Sequence, residues 1–269
     1  MPGAWIAFLG TGGALNVERE QAAILVEADG TRVLLDTGDG LGVVRGLRAA
    51  AVDPASVAHV VLTHRHLDHV GGLEPLLLTV ALSARRGGGA PGPVTVHALD
   101  GTATAVRATL AAAGASAARL MGESLRWLVS APGSRLALAE SLGLTLVEVD
   151  HPPPGGAAAA CVLDLDGARV VYSGDTRPCE ALVESARGAD LLIHEAGGLD
   201  AQASGVHAAG HSTAGDAGRA AARAAVRALA LTHLPASSWV APAELLAEAR
   251  RQAPGVEVFL AEDGLRVTV

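Results

Sequence analysis

The sequence predicts an α/β protein built on mixed β-sheets. Strand-like apolar runs alternate with helical segments along all 269 residues. Hairpin turns are mixed in, marked by Asp29-Gly30 and by Gly167. Half of the residues are hydrophobic, enough for a sizeable core. No long Ser/Pro/Gly linker parts the chain and no repeat is visible, so the expectation is one domain over residues 1–269.

The elements follow in order. Trp5–Leu9 is a short apolar strand ending at Gly10-Thr11-Gly12-Gly13. No Gly-Lys-Ser/Thr follows, so this is a tight turn and not a phosphate loop. Ala22–Glu27 and Arg32–Asp36 form a hairpin around Asp29-Gly30. Val57–Thr63 is a continuous apolar run, as in a strand covered on both faces. Val70–Leu82 reads as helix, Ser83–Pro93 as a surface loop carrying Arg85-Arg86, Val94–Ala98 as strand and Gly101–Ala113 as helix. Leu144–Val149 is strand, and Cys161–Asp166 with Ala168–Tyr172 forms a second hairpin. Pro178–Arg187 is helix, with Cys179 a buried thiol at its start, and Ala189–His194 is strand. Thr213 and Asp216 make a capping signal for an alanine-rich helix to Arg227. Its Arg219, Arg223 and Arg227, spaced i, i+4, i+8, read as a solvated face before an RNA-binding stripe. Leu229–Thr232 is strand, Pro242–Gln252 helix and Val256–Val269 a closing hairpin.

Composition narrows the function. The chain holds 20 basic residues, all arginine, against 28 acidic, a net charge of −8. That argues against a protein built mainly to coat nucleic acid. Six aromatic residues supply little for a stacking platform. No apolar run is long enough to span a membrane, and no basic region precedes the first apolar stretch as in a signal peptide. Two cysteines make no disulfide framework, so a reducing cytoplasm is the expected compartment.

Histidine is the informative residue. Ten are present, and three fall in Thr63-His64-Arg65-His66-Leu67-Asp68-His69, where a strand gives way to a helix. Three imidazoles and a carboxylate within six residues suit a borderline cation such as Zn²⁺; Mn²⁺ and Fe²⁺ accept the same donors. His64 and His66 can point to one ion, and Asp68 and His69 to a second. His151, Asp175 and His233 each lie at the end of a strand-like run. Seven groups then satisfy two metals: His64, His66 and His151 on one, Asp68, His69 and His233 on the other, Asp175 between. Two ions roughly 3.5–4 Å apart can clamp a displacement at phosphorus or a carbonyl.

The pattern T-H-x-H-x-D-H, a distant His, Gly-Asp-Thr and a last strand-end His resembles the metallo-β-lactamase superfamily. The resemblance implies a four-layer αββα sandwich of two mixed β-sheets flanked by helices, with the metals at the edge between the sheets. A narrower resemblance is to the ribonuclease Z branch. It rests on Leu34-Leu35-Asp36-Thr37-Gly38, Tyr172-Ser173-Gly174-Asp175-Thr176-Arg177-Pro178, Leu192-Ile193-His194-Glu195-Ala196 and His211-Ser212-Thr213-Ala214. It implies that Glu195 and His211 relay a proton to the leaving oxygen. A helix dipole next to His211 would lower its pKa, and Glu195 would oppose that. His194 reads as structural or as support for the metal ligands. Asp36 reads as an orienter of those ligands, and Arg177 as either a phosphate contact or a structural residue.

Two departures shape the expected substrate. His151 and Asp175 are 24 positions apart and a hairpin fills most of the gap, so the long-armed type's tRNA-gripping insertion is absent. After the last ligand, Leu234-Pro235-Ala236-Ser237-Ser238-Trp239 replaces the branch's Ser/Pro-x-Arg-Tyr. The expectation is a binuclear metal-dependent hydrolase, a phosphodiesterase for small or cyclic phosphodiesters, with Asp68, His211 and Glu195 catalytic. The alternatives are a ribonuclease Z-type tRNA 3′-processing endonuclease, an acyl or lactone hydrolase, and a non-enzymatic metal-binding scaffold. Homodimers are common in the branch, and no membrane partner is expected.

Overall fold

A computed structural model describes residues 4–114, 116–151, 157–165 and 167–269. The expected strand end at Asp166 lies outside them. The first half supplies β1 (Trp5–Gly10), β2 (Ala23–Ala28), β3 (Thr31–Leu35), α1 (Gly42–Ala49), β4 (His59–Val61), α2 (Leu67–Val70), α3 (Leu73–Arg86), β5 (Val94–Leu99), α4 (Asp100–Ala112), α5 (Ala117–Met121) and β6 (Leu125–Ser130). The second half supplies β7 (Arg135–Ala139), β8 (Leu142–Val149), β9 (Ala158–Leu165), β10 (Ala168–Tyr172), α6 (Glu180–Ser185), β11 (Leu191–Glu195), α7 (Ala203–Ala208), α8 (Ala214–Ala224), β12 (Ala228–Thr232), α9 (Pro242–Gln252), β13 (Glu257–Leu260) and β14 (Arg266–Thr268).

The strands form two seven-stranded mixed sheets, ordered β14-β1-β2-β3-β4-β5-β6 and β13-β12-β11-β10-β9-β8-β7. Strand alternation builds the layers. Along β1, Trp5, Ala7 and Leu9 join a core with Leu47 of α1 and Leu73, Leu76 and Leu77 of α3. Ile6 and Phe8 turn the other way and meet Leu144, Leu163 and Ile193 of the second sheet. Leu192, Leu229 and Leu231 pack outward against α6, α8 and α9. The result is a four-layer αββα sandwich.

Three expectations are corrected. Val70–Leu82 is not one helix: Gly71-Gly72 separates α2 from α3. A Cβ on Gly72 would lie 1.9 Å from the Thr37 carbonyl, so the chain bends where it crosses the turn after β3. Val256–Val269 is not a hairpin: β13 pairs in parallel with β12, whereas β14 pairs antiparallel with β1 in the other sheet. Asp263-Gly264 looks like a hairpin turn, but Asp263 accepts hydrogen bonds from Thr11 Oγ1 and Glu20 N, each 2.7 Å, which pin it beside the loop after β1. The Cys179 thiol is only half-buried, because the helix begins one residue later at Glu180.

Candidate metal centre

The candidate side chains gather where strand ends of both sheets meet. The turn after β4 carries His64 and His66, α2 carries Asp68 and His69, the turn after β8 carries His151, and the segments after β10 and β12 carry Asp175 and His233. Two groups result: His64, His66, His151 and Asp175, and Asp68, His69, Asp175 and His233, the donor atoms of each within 4.8 Å of one another. Asp175 belongs to both, with Oδ2 at 3.6 Å from His64 Nε2 and 3.3 Å from His69 Nε2, and Oδ1 at 3.5 Å from His233 Nε2.

Asp36 sets the orientation of two imidazoles. Its Oδ2 accepts from His69 Nδ1 at 2.8 Å, from Thr63 Oγ1 at 2.8 Å and from Tyr172 Oη at 3.1 Å, and its Oδ1 accepts from Thr63 N. With its proton given to Asp36, the Thr63 hydroxyl is left as an acceptor for His64 Nδ1 at 3.1 Å. Both rings therefore present Nε2 to Asp175. His151 is turned by the Gly210 carbonyl, which accepts from its Nδ1 at 2.7 Å. Such carbonyl and carboxylate partners fix the tautomer of metal-binding histidines. The sequence signalled Asp36, but not Tyr172 or Gly210, because Tyr172 is brought there by the sheet register and Gly210 by the loop between α7 and α8.

The backbone is held in unfavourable shapes at the same place. Asp36 and His233 both have left-handed φ, 56° and 51°. Gly174 has φ 55°, and a Cβ on it would sit 2.9 Å from the Ala159 carbonyl and 3.1 Å from Thr63 Cβ. That close approach brings Asp175 beside the turn that carries His64.

Electrostatics favour cation binding. Burial, and then the neighbouring imidazoles, hold His64 well below the ordinary histidine pKa. Burial also lowers His66 and His151. Burial would raise Asp68 and Asp175, but the surrounding histidines outweigh it and keep both carboxylates well below their usual range. For His69, burial is outweighed by Asp175 and Asp36, and its pKa is pushed well up. His69 Nε2 and Asp175 Oδ1 are buried without a hydrogen-bond partner. Orphaned donor atoms within a cluster of ionised carboxylates and imidazoles fit divalent cations.

Beside the cluster stands a second pair. His211 Nδ1 donates to Glu195 Oε2 at 3.0 Å, and Thr176 N donates to Glu195 Oε1 at 2.6 Å. Burial disfavours the charged ring, but Glu195 overcomes it and pushes His211 up to about 9. The helix dipole does not set its pKa, because carboxylates already occupy the start of α8: Asp216 Oδ2 accepts from Thr213 N and Glu248 Oε2 from Gly215 N. His211, Asp68, Asp175, His66 and His233 line a cavity of about 400 Å³ whose walls are Leu15, Val206, Ala209, Pro235, Ala236 and Trp239.

A family profile described as "Beta-lactamase superfamily domain" matches residues 31–234. A ribonuclease Z from Haloferax volcanii is 33% identical over 306 residues, covering 97% of this chain and 94% of that protein. The chain belongs to the metallo-β-lactamase superfamily, in its ribonuclease Z-like branch. It is a metal-dependent hydrolase of that superfamily. Two solved structures share the fold: YhfI from Bacillus subtilis, described as a metallo-beta-lactamase fold protein (TM-score 0.84, 22% identity, 99% of this chain and 100% of that one), and human tRNase Z, short form (TM-score 0.74, 23% identity, 98% and 99%).

Against this ribonuclease Z-like background, other candidates fall outside the cavity. Arg177 donates to the His207 carbonyl at 2.6 Å and to Asp150 at 3.0 Å, so it ties α7 to the end of β8. Arg219 pairs with Asp200 and Asp216, and Arg223 with Glu180. His194 is buried and donates from Nδ1 to the Glu195 carbonyl at 2.8 Å. Among the described residues, no helix is long and apolar enough to cross a membrane.

Proposed function

We propose that this chain is a two-metal phosphodiesterase of the ribonuclease Z type that cleaves an RNA phosphodiester during 3′-end processing. The observation that carries phosphodiester chemistry is the Glu195–His211 pair, set beside the two His/Asp groups, with Glu195 buried behind His211 and His211 lining the same cavity. The RNA substrate is supported by the curated relative named ribonuclease Z. His64, His66 and His151 would hold one cation, Asp68, His69 and His233 the other, and Asp175 both, with Zn²⁺ the best match to the donors. When bound, the two cations acidify a water and offset charge on the phosphoryl oxygens. Asp68, whose Oδ2 lies 3.3 Å from His233 Nε2 at the edge of the cluster, would orient the attacking water by accepting its hydrogen bond. His211 keeps Nδ1 on Glu195, which leaves Nε2 to protonate the leaving oxygen.

One finding favours a second substrate class. The β9–β10 hairpin occupies the described part of the interval between His151 and Asp175, and no arginine lines the cavity among the described residues. Small or cyclic phosphodiesters need no extended grip. The experiment sets a tRNA with a 3′ trailer against a panel of 2′,3′- and 3′,5′-cyclic nucleotides, using zinc-loaded protein at matched salt. Cleavage at the tRNA 3′ end, lost on chelation, is expected. His211→Ala should lower kcat by about 10²–10⁴-fold, and Asp68→Ala should lower activity and cation affinity together. Turnover of the cyclic esters alone would replace the RNA reading with the second one. Hydrolysis of neither, with lactones or thioesters cleaved, would overturn both.

A further inference from the structure

Resting on the phosphodiesterase reading, we infer that Trp239 and Leu15 form a nucleobase subsite on the wall of the metal-centre cavity, where the base next to the scissile phosphate stacks. Both residues line that cavity, yet Trp239 is 60% exposed and Leu15 68%. Exposed apolar side chains are ordinary when scattered singly, but exposed apolar side chains gathered on the wall of one cleft mark ligand-binding grooves.

The loops that carry them are tied to each other. Gly13 N donates to the Leu234 carbonyl and Leu234 N to the Thr11 carbonyl, each at 2.9 Å. Asn16 Nδ2 donates to the Leu234 and Pro235 carbonyls, and Gln21 Nε2 gathers the carbonyls of Gly13, Ala14 and Asn16. Ser237 Oγ donates to Glu18 at 2.7 Å. Trp239 N closes a turn onto the Ala236 carbonyl, and the next residue, Val240, is buried. The indole therefore stands on a fixed mount beside the reacting centre, as a pre-organised aromatic anchor does.

The chemistry of the wall selects the occupant. No arginine lines it among the described residues, and the chain has no lysine, so it does not grip phosphates. Apart from the metal-centre groups at its floor, the lining is largely apolar, which suits the flat face of a base. About 400 Å³ falls within the range of small-ligand clefts, roughly 300–1,000 Å³. Every base has a π-face, so such a platform tolerates sequence while requiring a nucleotide.

The test compares two esters with the same leaving group, thymidine 5′-(p-nitrophenyl phosphate) and methyl p-nitrophenyl phosphate, on zinc-loaded protein. Trp239→Ala should raise KM for the nucleoside ester roughly tenfold more than for the methyl ester, and Trp239→Phe should restore most of the difference. A second readout needs no turnover. Adenosine 5′-monophosphate should quench the exposed-indole emission saturably in the wild type and not in Trp239→Phe; Trp5 is buried and Trp127 lines a separate cavity. Equal effects on both esters, or no saturable quenching, would overturn the subsite and leave the phosphodiesterase reading standing. Quenching without hydrolysis of either ester would uphold the subsite and sink that reading.

Discussion

Asp36 shows how one carboxylate can govern a site it does not enter. Four donors converge on it, and two of them decide which nitrogen His69 and His64 present. Asp36→Asn keeps the size but replaces an acceptor oxygen with an N–H₂ that faces donors. Zinc affinity is expected to fall about 10–100-fold, read by competition with a chromophoric chelator, with a lower Tm of the metal-free protein. Unchanged affinity would mean that the rings are held by packing alone. Gly174 makes the complementary case. Gly174→Ala meets both a left-handed φ and the Ala159 carbonyl at 2.9 Å, and should cost about 1–3 kcal/mol in urea denaturation.

At the scale of an element, α8 illustrates a signal that is legible locally. Thr213 and Asp216 cap it reciprocally, as T-x-x-D predicts, and Thr213→Ala should cost about 1 kcal/mol. Tertiary structure adds Arg219 and His207 around the same carboxylate, and Asp200, which accepts from the Thr213 hydroxyl. Burial opposes ionisation of Asp216, but His207, Arg219 and Thr213 outweigh it and bring it down to about 2. A carboxyl pKa lower in the folded than in the unfolded state makes stability fall as pH drops. This contribution is complete above about pH 4 and is lost between about pH 4 and pH 2. Comparing acid unfolding of Asp216→Asn with the wild type checks it: the variant should be less stable at pH 6 and lose less on acidification. The strands β6 and β7 are the opposite case. They are sheet edges with half their side chains in water, so the apolar runs that betray the inner strands are missing.

For the whole molecule, the interface between the sheets carries its own acid sensitivity. His97 on β5 is buried, and its Nε2 lies 3.0 Å from His59 Nδ1 on β4, while His59 faces the Leu138 backbone of β7 in the other sheet. Burial, and then His59, lower His97 to about 4. A histidine that is neutral when folded and protonated when unfolded makes stability fall as pH drops from about 6.5 to about 4. His97→Leu should flatten the stability profile of the zinc-loaded protein across that window; an identical slope would mean that His97 takes up its proton in the folded state as readily as in the unfolded one.

The sequence by itself determined the local chemistry: the T-H-x-H-x-D-H run, the Thr213 cap, the β2–β3 and β9–β10 hairpins and the strand-end residues that became candidates. Each depends on covalent spacing or on turn chemistry over a few residues. The crossover of β13 and β14 to different sheets, the roles of Tyr172 and Gly210 beside His69 and His151, and the standing of Arg177 as a tie and not a phosphate contact were decided only by tertiary structure. These depend on which strands pair and in what register, a competition among long-range hydrogen bonds and apolar faces. The pinning of Asp263 by Thr11 from the other end of the chain is its clearest example.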